Sequence, residues 1–217
     1  MKSLRWANVA VLAFVLLATP ALAAIQSTII GTGTPPAALG QDPVTAFPAD
    51  GRATGPGFTT VPTPIGGNLT FSYALTHAIV PGTWNNWSNG YTGDVYYTTG
   101  ATSPDSVTIT LPPGTGAFYL YTEADNYVTV SFTVTSGTAS QTLNITTPSG
   151  ATGVGFWDDA GGTLTSVTVS TTTSFAVGEF GIGAPAAPIP TLSTAGLVAL
   201  ALALGFIGLL AVRRFRA

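Results

Sequence analysis

Trp84, Trp87 and Tyr91 fall close together, and the residues around them include Asn85, Asn86, Asn89 and Gly90. Aromatic faces stack on sugar rings while side-chain amides bond hydroxyls, so this spacing suits carbohydrate recognition. The same residues serve a plainer purpose, and more often do: they pin a long loop to a sheet. A second group, Asp158 and Asp159 ahead of Gly161 and Gly162, offers carboxylate oxygens on a loop, the ligand type Ca²⁺ prefers. Glu123, Asp125 or Glu179 would have to complete such a site.

Other chemistry is excluded by what the chain lacks. His77 is the single histidine and there is no cysteine, so a two-histidine metal site, a thiolate site, a Cys-His dyad and a disulfide framework are all ruled out. No nucleophile-elbow motif supports a serine triad through His77. Glycoside hydrolysis needs only two carboxylates about 5 to 10 Å apart. Most of the nine acids, however, sit in turns, where aspartate is common for backbone reasons. The expectation is a protein that is not an enzyme, with no cofactor other than optional Ca²⁺ at Asp158 and Asp159.

Charge is segregated. Lys2 and Arg5 precede the first apolar run, and Arg213, Arg214 and Arg216 follow the last. Between them Arg52 stands against all nine acids, which leaves that part with a net charge of −8. Nucleic acid is excluded as a partner, because binding it needs Lys and Arg to displace counterions from phosphates.

The two ends account for much of the hydrophobicity. A basic start, an apolar run at 9–18 and the small-x-small site Ala21-Leu22-Ala23 make residues 1–23 a secretory signal peptide, with Ala24 as the first mature residue. The Sec translocon and signal peptidase are the partners this implies. Residues 195–212 form an uninterrupted apolar run, about 27 Å long as a helix at roughly 1.5 Å per residue, enough for a single transmembrane helix. Pro190 tolerates only a helix start, Ser193 or Thr194 can cap it, and Arg213, Arg214 and Arg216 supply a positive cytoplasmic end. Positions 184–188 are a Pro/Ala linker.

Residues 189–217 also carry a resemblance. Ile189, Pro190, Thr191, Leu192 and Ser193, followed by one apolar helix and a terminal arginine cluster, resemble the IPTL-CTERM sorting signal, a relative of PEP-CTERM. Gly196 matches a glycine of that pattern, and Ala195 stands where tryptophan is usual. The resemblance implies a bacterial protein whose tail is recognised in the inner membrane by an exosortase and removed as the protein moves to the surface. It makes Ile189 to Leu192 the recognition residues. That family is associated with exopolysaccharide production. The expected role of the displayed domain is structural, adhesive or in a biofilm, and the alternative is a carbohydrate-binding module for exopolysaccharide.

The elements between the ends are strands. Val128, Val130, Phe132 and Val134 alternate with Thr129, Ser131, Thr133 and Thr135, the period of two that sends alternate side chains to opposite faces, with the threonines toward solvent. Similar signals occur at 69–75, 94–98, 106–111, 117–122, 142–147, 153–157, 164–170 and 175–182, separated by Gly/Pro turns. In the last of these Phe175 and Val177 share one phase while Phe180 and Ile182 share the other, which requires a β-bulge near Gly178-Glu179. Positions 34–67 read as loops with one or two short edge strands. The expected fold is an all-β domain at 24–183, an antiparallel β-sandwich of jelly-roll type or, second, of immunoglobulin type.

Overall fold

The computed structural model describes residues 24–99, 106–126, 129–146, 149–186, 196 and 198–205. Among them are fourteen strands. The first five are β1 (Ile25–Gly31), β2 (Ala38–Leu39), β3 (Asp42–Pro43), β4 (Thr45–Ala46) and β5 (Gly55–Pro62). The middle of the domain adds β6 (Asn68–Val80), β7 (Gly93–Tyr97), β8 (Ser106–Thr110), β9 (Ala117–Ala124) and β10 (Thr129–Ser136). The last four are β11 (Ala139–Thr146), β12 (Thr152–Asp158), β13 (Ser166–Ser170) and β14 (Phe175–Gly183).

Twelve of these strands form one antiparallel sheet in the order β1-β12-β9-β14-β7-β6-β8-β13-β10-β11, with β4 beside β14 and β5 beside β6. The expected antiparallel β architecture is present, but the two separate sheets of a sandwich are replaced by a single continuous one. The physical reason is the length of β6: its Thr70 and Phe71 pair with β8, whereas Thr76 to Val80 pair with β7, so this one strand turns the corner between two walls. At the far ends β1 and β11 come together, where Gln141 donates to the Ser27 hydroxyl at 2.9 Å, and the sheet nearly closes.

Inside, side chains from both walls, among them Leu69, Phe71, Phe118, Leu120, Phe132, Phe156 and Phe175, form the main core. The Val/Thr alternation of β10 appears as expected, with Val130, Phe132 and Val134 buried and Thr129, Ser131 and Thr133 exposed. By contrast β9 and β14 are buried on both faces. Their outer face is covered by smaller apolar clusters, in which Leu39 packs with Tyr119 and Tyr121, and Trp84 with Ala78, Val95 and Ala176. The covering segments are 81–92 and the stretch carrying β2 and β3.

The expected bulge is present. The β9–β14 register shifts between Gly178 and Gly181, and Glu179 takes a left-handed φ of 47°.

The registers also fix where the chain enters and leaves. Ile25 lies opposite Asp158, Trp157 opposite Ala117, and Ala117 opposite Gly183, so Ala24 and the exit from β14 lie at the same end of the sheet. Ala124 and Phe175 mark the other end.

Separately, residue 196 and residues 198–205 are helical, and among the described residues no helix is long and apolar enough to cross a membrane. The leader at 1–23, the motif residues Ile189 to Ser193, the rest of the 195–212 span and Arg213, Arg214 and Arg216 lie outside the described residues.

Candidate functional site

Residues 81–92 cross the outer face of β9 and β14 as a strap, and two buried carboxylates hold it there. Glu123 on β9 accepts the Trp84 indole N–H at 3.1 Å and the Asn86 amide at 2.8 Å. Glu179 in the β14 bulge accepts the Trp87 indole N–H at 2.9 Å and the Asn89 amide at 3.0 Å. Trp84 packs against Tyr97 with ring centroids 5.2 Å apart, and Trp87 against Tyr91 at 6.1 Å. Tyr91 in turn donates to the Asp94 carbonyl at 3.1 Å. The three aromatics therefore turn toward the sheet rather than presenting an open stacking platform.

Both acids are almost out of solvent, at 1% exposure for Glu123 and 6% for Glu179. Burial penalises their charged forms, and the indole and amide donors only partly offset this. The Glu123 carboxyl is raised, and that of Glu179 is pushed up to about 7. A non-glycine residue at positive φ, carrying a buried acid with a raised pKa, is a combination that concentrates at functional positions.

Beside the strap, at the sheet end opposite the chain exit, lies a cleft of about 140 Å³. It is lined by Thr83, Trp84, Asn85, Asn86, Glu123, Asp125 and Asn126. Burial raises the Asp125 carboxyl. The Asn126 amide nitrogen donates to Thr173 at 2.9 Å, while its Oδ1 is shielded from solvent and has no hydrogen-bond partner. Apart from Trp84 and Ala124 its lining is polar. Trp84, Asn85 and Asn86 are neighbours in the sequence, whereas Asp125 and Asn126, about forty positions away, are not linked to them by any local pattern.

A second polar network fixes the 47–62 region. Asp50 accepts from Arg52 and from the Tyr96 hydroxyl, Asp94 accepts from the Asp50 backbone N–H at 2.7 Å, and the His77 ring bonds Asp94 at 2.7 Å. Burial pulls the Asp50 carboxyl up, but the bonds from Arg52 and Tyr96 outweigh it and hold the group below its ordinary range. Arg52 also sits 4.5 Å over the Phe58 ring. His77 is thus buried on β6, with Asp94, Phe58 and Tyr96 around its ring.

Asp158 and Asp159 lie at the chain-exit end. Asp158 accepts the backbone N–H groups of Ala160 and Gly162, each at 2.9 Å, which shapes the Gly-rich turn. Asp159 accepts the Ala24 N–H at 3.3 Å and the Gln26 amide at 2.9 Å. Glu123 and Asp125 belong to the opposite end, so they do not join this pair. Among the described residues no three acidic or histidine side chains converge as a metal site.

The IPTL-CTERM motif family matches residues 187–214. No curated protein matches the chain. Among solved structures, the K1 cleaved adhesin domain of Lys-gingipain from Porphyromonas gingivalis W83 is similar at 15% identity. That likeness covers 75% of this chain and 99% of that chain, with a TM-score of 0.33.

Proposed function

We propose that this is an exported bacterial surface or matrix protein whose anionic β domain is displayed outside the cell. In this reading an exosortase-type enzyme recognises and removes its C-terminal tail. The observation that carries it is the IPTL-CTERM match at 187–214, a range that includes Arg213 and Arg214. An apolar segment at 195–212 holds the intermediate in the inner membrane, and Arg213, Arg214 and Arg216 keep its end cytoplasmic. Signal-peptide cleavage after Ala23 would leave a new ammonium group at Ala24, beside the Asp159 carboxylate. The role of the displayed domain is structural or adhesive, in a surface layer or biofilm.

A plain anchor and a sorting signal differ in what Ile189 to Leu192 do. An anchor needs only the apolar helix and its positive flank, and is indifferent to Pro190 and Thr191. A processing enzyme binds an extended segment, which Pro190 favours by disfavouring helix at Ile189. Pro190→Ala with Thr191→Ala is expected to leave the protein full length in the inner membrane, while the wild type reaches the surface without its last 25 or so residues. Mass spectrometry of surface material decides the matter: wild-type peptides still containing Phe215 and Arg216 would replace the sorting signal with a permanent anchor.

The polar cleft supports a second reading, in which the domain binds exopolysaccharide. Its amides and carboxylates suit hydroxyl recognition, and Trp84 supplies an apolar wall. Trp84 and Trp87 hold the strap, so the cleaner probes are Asn85→Ala and Asp125→Ala. Each is expected to lower binding on a glycan array about tenfold, as loss of a hydrogen bond to a charged or amide group does, with the unfolding midpoint unchanged. An array on which the wild type binds nothing removes this reading.

A further inference from the structure

We propose that Asp42 and Gly116 are positioning residues for the tail reaction: they clamp the root of the tail, so that the folded domain presents the recognition segment on a tether of two residues. The proposal rests on the processing reading above. The segment between β14 and the motif is rich in proline and alanine, a composition that on its own makes a semi-extended spacer. In the structure its first half belongs to the domain. The Gly116 N–H donates to the Gly183 carbonyl at 2.8 Å, which extends the β9–β14 pairing beyond its last residue pair. Three residues on, the Ala186 N–H donates to Asp42 Oδ1 at 2.6 Å. Asp42 is only 3% exposed, and its second carboxylate oxygen is buried without a hydrogen-bond partner. A buried carboxylate on a short hairpin is costly unless it is used, and its use here is to hold one backbone amide of the departing chain.

The fit around that bond depends on missing side chains. A Cβ on Gly116 would lie 2.5 Å from the Pro185 nitrogen, 2.6 Å from its Cα and 2.8 Å from Asp42 Oδ2. A Cβ on Gly183 would lie 2.1 Å from the Pro43 carbonyl oxygen. Positions 183–186 therefore run in a groove between the start of β9 and the β2–β3 hairpin. The hairpin is seated in turn: Leu39 fills the space that a side chain at Gly155 would take, and Trp157 lies against Gly40.

The consequence is a distance. With Ala186 held, only Ala187 and Pro188 separate the domain from Ile189, and Ile189 is at most about 10 Å from the held residue, at roughly 3.5 Å per residue. Without the clamp, the loose chain would begin after Gly183 and the reach would double. A recognition segment held at fixed distance from a folded body samples far fewer orientations than one on a free linker, which favours productive engagement.

Full-length protein carrying Asp42→Ala, Asp42→Asn or Gly116→Val tests this in two measurements. The first is hydrogen exchange of the Ala186 amide in detergent-purified protein. At least tenfold slower exchange is expected in wild type than in Asp42→Ala, with Asp42→Asn close to wild type because its amide oxygen can still accept the bond. Equal exchange in wild type and Asp42→Ala shows that no clamp exists and overturns the proposal. The second is the fraction of protein lacking its tail in cells, which should fall several-fold in Asp42→Ala and Gly116→Val and be restored in Asp42→Asn. A merely structural role would not produce that restoration alongside an unchanged unfolding midpoint. If wild type and Asp42→Ala lose their tails equally, the positioning role is overturned while processing stands. If the wild type keeps its tail, the processing reading falls, and the positioning role falls with it.

Discussion

Phe132→Asp is expected to abolish folding of the β domain at ambient temperature, whereas Thr133→Asp, one residue along the same strand, should leave it folded. Phe132 is fully buried and meets Phe175 edge-on, with ring centroids 5.7 Å apart. Replacing it removes a large apolar side chain, worth about 3 to 5 kcal/mol, and leaves a carboxylate with no donor in an apolar core. The total exceeds about 5 kcal/mol, comparable to the whole stability of an ordinary domain. Thr133 points outward from the same strand, and surface changes of this kind stay within about 0.5 kcal/mol. Circular dichroism and thermal unfolding of the two variants provide the check. A cooperative transition for Phe132→Asp near the wild-type midpoint would mean that the core has been assigned to the wrong face.

Glu179 gives the second large effect, and it depends on pH. Its folded-state pKa is raised to about 7 from an ordinary value near 4.5, so the folded protein holds this proton more tightly than the unfolded chain does. Stability from this group is therefore fully present below about pH 4.5 and is lost as pH rises through 7. The loss approaches about 3 kcal/mol, since each pKa unit is worth about 1.4 kcal/mol. Glu123 and Asp125, both raised by burial, act in the same direction. Asp50, held low by Arg52 and Tyr96, acts in the opposite sense, and its contribution disappears only as pH falls below the ordinary carboxylate range. Glu179→Gln is expected to flatten the unfolding midpoint between pH 4.5 and 7. Glu179→Ala should also strand the Trp87 and Asn89 donors and cost about 2 to 4 kcal/mol at pH 5. A midpoint for Glu179→Gln that falls with pH as steeply as in wild type would remove Glu179 as the source.

Much of this fold was legible where the physics is local. The β10 alternation announced its buried and exposed faces, and the change of phase between Val177 and Phe180 announced the bulge. Two apolar residues three apart cannot share a sheet face unless one position is skipped. The region from 34 to 67 was not legible in the same way. It contributes four strands rather than one or two, and β5 is held by pairing with β6, which no short-range pattern reveals. Double-sided burial of β9 and β14 was equally hidden, because it depends on segments that return from elsewhere in the chain. Even so, an acid inside an otherwise apolar strand, as at Glu123 after Phe118 to Thr122 or at Glu179 before Phe180, was a usable signal. A charge placed there must meet donors, and the unassigned indoles of Trp84 and Trp87 were available. Sequence pattern grouped the aromatics by their spacing; only the pairing across 39 and 92 positions showed that the two indoles face inward.

The place of β14 in the sheet has a mechanical meaning. Any pull on the chain beyond Ala186 enters the domain through the clamp and then along β14, which is flanked by β9 along its length and by β7 and β4 on its other side. Tension directed along that strand stretches its ladder of hydrogen bonds side by side, so that many must yield together, instead of peeling them one at a time as it would from a free edge. Tension applied at this end therefore meets paired strands on both sides of β14 rather than a free edge.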